Sequence, residues 1–141
     1  MAVIDQVSES VVLAPEARSP SASRRFVERA LTRWELDVLA DTAVLLTSEL
    51  VTNAIVHAQT EVAVTIRREG RHTVSVSVTD GSATFPRLAS HSSDAATGRG
   101  LGILDMLASS WEVVTAPEGK TVTFTLQHLT VPDACNSPGQ A

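Results

Sequence analysis

The sequence predicts an α+β fold, a two-layer sandwich in which a mostly antiparallel mixed sheet is covered on one face by helices. Three observations lead there. Helical periodicity is concentrated in the first half of the chain, period-two alternation of apolar and polar residues dominates the later segments, and short turn sequences join those segments in pairs. With 141 residues, 43% of them hydrophobic, the chain can fill one core of ordinary size, which implies a single domain.

The elements follow in order. Val11 to Ala14 is a brief apolar run ended by Pro15, read as a short strand. Ser19-Pro20-Ser21 then offers a cap and an early proline to a helix over Ala22 to Trp34, which carries Phe26, Ala30 and Leu31 on one side and Arg24, Arg25 and Glu28 on others. A longer helix spans Asp37 to Ala58 with no Gly or Pro and apolar residues on nearly every side, the mark of a helix buried by its neighbours. Glu61 to Arg68 alternates, turns at Glu69-Gly70-Arg71, and returns through Val74, Val76 and Val78 as a hairpin. Trp111 to Ala116 and Thr121 to Leu126 repeat the pattern around Pro117-Glu118-Gly119, with Val122, Phe124 and Leu126 opposing Thr121, Thr123 and Thr125. Between the hairpins lies a long connection over 81–97, without periodicity, which reads as a lid, and then a helix from Leu101 to Ala108. From Pro132 onward the chain is a polar tail.

Composition narrows the function classes. Eleven Lys and Arg against sixteen Asp and Glu leave a net charge of −5, which provides no electrostatic footprint for gripping a phosphate backbone, so direct nucleic-acid binding is not expected. A lone cysteine, Cys135, can form neither an internal disulfide nor a zinc site by itself. The N-terminus lacks the basic and apolar regions of a signal peptide, and no uncharged apolar run approaches the ~18 residues of a membrane helix, so a cytoplasmic protein without membrane contact is expected. Ten of the eleven basic residues are arginines and Lys120 is the single lysine.

Three features carry possible chemistry. On the long helix Glu49 and Asn53 lie about 40° apart and share a stripe with Leu45, Leu46 and Val56. Such a pair either closes a core hydrogen bond or an ion pair, or faces a cavity as a base and an oxygen donor for a hard cation. His57 continues the stripe as a helix-end residue. Asp80 has the parity of Val74, Val76 and Val78, so a continuing strand points it coreward, where a carboxylate needs donors; alternatively Asp80-Gly81 is a turn. Gly98-Arg99-Gly100-Leu101-Gly102 opens a helix, either as a phosphate cradle or as a hinge. Ile103 breaks the dinucleotide-binding glycine pattern, and Gly119-Lys120-Thr121 lacks the glycine and helix of a P-loop, which leaves Lys120 as a turn lysine.

In order and type these features resemble the GHKL ATP-binding superfamily (gyrase, Hsp90, histidine kinase, MutL), and specifically the small anti-sigma-factor serine kinases of bacteria. The resemblance spans residues 20–128 and is most specific in Ser48-Glu49-Leu50-Val51-Thr52-Asn53-Ala54-Ile55-Val56-His57-Ala58, which is similar to the family's N box. It implies a Bergerat-type fold over 20–128, preceded by an extension with a short strand over 1–19 and followed by a disordered tail over 129–141. It implies ATP and Mg²⁺ as cofactors, with Glu49 as catalytic base and Asn53 as the Mg²⁺ ligand. Asp80 would accept the adenine amino group, Gly98, Arg99, Gly100 and Leu101 would cradle the phosphates, and Thr121 would lie near adenine. The family usually shows Asp-x-Gly where this chain has Asp80-Gly81-Ser82. The implied activity is phosphorylation of a serine or threonine on an anti-sigma-antagonist protein, with a sigma factor and a second copy of the chain as further partners. The alternative is a non-catalytic regulator whose lid is ordered by nucleotide to create a partner surface.

Overall fold

The computed structural model describes residues 7–82 and 102–128. The elements are β1 (Val7–Leu13), α1 (Ser19–Arg33), a 3₁₀ turn (Asp37–Leu39), α2 (Ala40–His57), β2 (Val62–Gly70), β3 (Thr73–Asp80), α3 (residues 102–107), β4 (Ser110–Ala116) and β5 (Gly119–Gln127). The strands form one sheet in the order β1-β2-β3-β5-β4, and every neighbouring pair is antiparallel. The mixed character expected from the sequence therefore does not arise within the described strands. β1 is an integral edge strand, paired with β2 from Val7↔Arg68 to Leu13↔Val62, and it is longer than its apolar run because ladder hydrogen bonds rather than burial define its first half.

The alternation read from the sequence sorts the sheet into two faces. Val62, Val64, Ile66, Val74, Val76, Val78, Val122, Phe124 and Leu126 are buried together on the helix side. Against them pack Val27, Ala30 and Leu31 of α1 and Ala43, Leu46, Leu50, Val51 and Ala54 of α2, with Leu104 of α3 closing the same core. By length and composition the Asp37–His57 span could cross a membrane, but it carries Asp41 and Glu49 and serves here as the central core helix.

The cap that Ser19-Pro20-Ser21 offers in the sequence is not used as such: the N-cap position of α1 is Arg18, which makes no side-chain cap hydrogen bond, and Ser19 is already the first helical residue. The Ser19 hydroxyl donates to the Ala14 carbonyl at 2.6 Å, and Pro20 lies in the first turn, where no intrahelical N–H is needed. α1 ends on Glu35 in a left-handed conformation (φ 58), with Leu36 N–H bonding to the Leu31 carbonyl and Glu35 N–H to the Thr32 carbonyl. That is a Schellman arrangement with Glu in a place where glycine is usual, so composition alone gave no signal for it. The Arg33–Glu9 ion pair then ties the end of α1 to β1.

One glycine is required by geometry. Gly119 opens β5 with φ +155, and a Cβ there would fall far inside van der Waals contact with the Asp80 carbonyl oxygen. The β4–β5 turn can therefore close against the end of β3 only if position 119 has no side chain. Gly119→Ala is expected to lower stability by about 2–3 kcal/mol, read as a lower urea midpoint at unchanged slope.

Candidate nucleotide site

The flank of α2 between its buried and solvent sides carries Glu49 and Asn53, both half-buried. Leu46, Leu50 and Ala54 lie on the core side of this pair. On its other side Leu45 and Val56 are 40% and 57% exposed, so the largely apolar stripe is split between core and open surface. Among the described residues no hydrogen bond or ion pair holds the side chain of Glu49 or Asn53. The structural reading of Glu49, in which it pairs with an arginine or closes a core hydrogen bond, therefore finds no partner among these residues. His57 ends the helix and is exposed.

The chain brings the C-terminal end of α2 to the end of β3. After α2 it passes through Thr60, whose hydroxyl oxygen accepts from Gly81 N–H at 2.8 Å, before β2 begins and pairs Val62 with Asp80. Asp80 follows the inward parity of its strand and is only 5% exposed. Its carboxylate is held at both oxygens: Ser82 N–H donates to Oδ1 at 2.8 Å and Lys120 Nζ donates to Oδ2 at 2.6 Å. The first contact is a local turn of the Asx type, so the turn reading of Asp80-Gly81 and the buried-acceptor reading are both realised in one residue. A carboxylate has about four lone-pair sites, so two contacts leave room for another donor.

Lys120 is the residue that sequence reasoning misassigned. It lies in β5, directly opposite Asp80 in the β3–β5 ladder, and its side chain is 11% exposed in the ion pair. Its parity with Val122, Phe124 and Leu126 could have shown the inward direction, but the pairing with Asp80 depends on a register between strands forty residues apart. Thr121 takes the opposite face. It pairs with Thr79, and the two hydroxyls are 2.8 Å apart on the side of the sheet away from the helices. Asp80 and Lys120 thus share a face, and Thr121 does not. Gly98, Arg99, Gly100 and Leu101 lie outside the described residues, as do residues 83–97 of the connection read as a lid.

The donor set can be tested against the cofactors that the resemblance implies. Among the described residues no three His, Cys, Asp or Glu side chains are grouped to hold a metal. Mg²⁺ bound with a nucleotide does not need such a group, because phosphates and water fill most of its octahedron and one or two protein oxygens suffice. The side-chain oxygen of Asn53, unpartnered among the described residues, would fit as such a ligand.

Residues 13–126 match the model of the histidine kinase-like ATPase domain. A solved structure of the RsbU and RsbW domains of Rv1364c from Mycobacterium tuberculosis has a similar fold, with a TM-score of 0.68 and 20% identity over 86% of this chain. The chain spans 32% of the length of that solved chain. No curated protein matches. The matched span takes in β2, β3 and β4, nearly all of β5 and the three described helices, though only the last residue of β1, and the chain belongs to the histidine kinase-like ATPase domain family, within the GHKL superfamily.

Proposed function

We propose that this protein is an ATP- and Mg²⁺-binding serine/threonine protein kinase of the anti-sigma-factor type, acting in the cytoplasm on a small anti-sigma-antagonist protein. The observation that carries the reading is the pair Glu49 and Asn53, a helical turn apart on the open flank of α2 and unpartnered among the described residues. Family membership and the likeness to a chain containing an RsbW domain support the same class.

When bound, MgATP supplies the phosphoryl group and Mg²⁺ offsets the charge on its phosphates. The side-chain oxygen of Asn53 is the protein's ligand for that ion. Asp80 accepts a hydrogen bond from the adenine amino group, and Gly98, Arg99, Gly100 and Leu101 surround the phosphates, with Arg99 adding positive charge. Glu49 takes the proton of the acceptor hydroxyl as its oxygen forms a bond to phosphorus and ADP leaves. This role requires a carboxylate that no internal cation pairs with, a condition Glu49 meets among the described residues. A sigma factor and a second copy of the chain are the further partners this reading includes.

The test is phosphate transfer. Incubating the protein with ATP, Mg²⁺ and candidate antagonist proteins should add one phosphate to a serine or threonine of one of them, seen by intact-mass measurement. Saturable ATP binding with no transfer to any candidate would favour the alternative, a nucleotide-dependent binding regulator without catalysis.

A further inference from the structure

The Asp80–Lys120 pair has more hydrogen-bonding capacity than its own contact uses. A lysine ammonium has three N–H donors, and among the described residues Asp80 is the one partner that Lys120 has. Its side chain is largely buried beside the carboxylate, on the helix side of the sheet and at the end of β3 where the chain turns away through Gly81 and Ser82. A donor with spare valence is costly to bury unless something completes it. The two charged groups, 2.6 Å apart, offer an acceptor and a donor side by side, complementary to an edge that presents an N–H beside a ring lone pair.

Adenine has such an edge, with the N6 amino group next to N1. Resting on the proposed nucleotide site, we infer that Lys120 is a base-reading residue: Asp80 accepts from the N6 amino group while the Lys120 ammonium donates to N1. Thr121, on the other face of the sheet and paired with Thr79, is not available for this contact. The inference also accounts for the position of the single lysine of the chain. A counter-ion for Asp80 alone could be any cation of suitable reach, whereas a ligand contact needs the compact ammonium with its rotatable donors.

Calorimetric titration with ATP, 1-deaza-ATP (no N1 acceptor) and 7-deaza-ATP (N1 intact) tests it. The wild-type chain is expected to bind 1-deaza-ATP about tenfold to a hundredfold more weakly than ATP, and 7-deaza-ATP about as well as ATP. The discrimination should vanish in Lys120→Met. Because that variant leaves Asp80 buried without its counter-ion, the double variant Asp80→Asn with Lys120→Met provides a second background free of lone charge, and discrimination should be absent there too. Equal binding of ATP and 1-deaza-ATP by the wild type overturns the inference and leaves the nucleotide site standing, as does discrimination that survives in Lys120→Met. No binding of ATP by the wild type overturns the nucleotide reading itself and the inference with it.

Discussion

Replacing Glu49 with alanine is expected to lower phosphate transfer by about 100- to 10,000-fold while ATP affinity and folding stability stay near wild type. Glu49 is half-buried on the flank of α2 and engages no described side chain, so its removal opens no core cavity and leaves no orphaned partner. Alanine is also the best helix former, which limits any penalty within the 18-residue α2. A structural Glu49 would behave differently, with binding and stability falling together. Single-turnover transfer kinetics, read beside calorimetry and a urea transition on the same preparation, separate the two behaviours. If transfer by Glu49→Ala is as fast as by the wild type, Glu49 is not the base.

Asp80→Ala is expected to act on binding and stability at once. Removing the carboxylate leaves the Lys120 ammonium, 11% exposed, without its counter-ion, and breaking one side of a buried pair costs about 3–5 kcal/mol. The turn at Ser82 loses its acceptor as well. ATP affinity is expected to fall by about 100-fold, the magnitude of a buried charged hydrogen bond together with an amino donor left unpaired. The paired substitution Asp80→Asn with Lys120→Met should recover much of the stability, because both charges leave together, without recovering ATP affinity. Urea transitions and ATP titrations of the three proteins check this. Recovery of affinity along with stability would show that Asp80 supports the fold and does not read the base.

The two substitutions also mark where the sequence was informative. Period-two alternation in Val74, Val76 and Val78 was enough to point Asp80 inward, because parity is a local property of a strand. The burial of α2 on several sides and the two hairpins followed from composition and turns in the same way. The strand order was not accessible: β5 inserts between β3 and β4, and no local pattern encodes which neighbour a returning strand selects. Lys120 was misread for that reason. Next to Gly119 it looked like part of a turn, and only the β3–β5 register sets it against Asp80. Thr121 teaches the converse. Its alternation with Val122 and Phe124 already placed it on the polar face, and the structure puts it there, paired with Thr79. The flank of α2 was half legible, since helical spacing put Glu49 and Asn53 together but could not say that Leu45 and Val56 beside them would stay open.

We propose that Glu49, Asn53 and Asp80 belong to one nucleotide site, a claim open to calorimetric titration of the protein with ATP in the presence and absence of Mg²⁺. The expected result is saturable binding of one ATP per chain, strengthened by Mg²⁺ and weakened by Asp80→Ala. No saturable binding under either condition would contradict the claim and leave a histidine kinase-like fold whose buried Asp80–Lys120 pair holds the sheet together without serving a ligand.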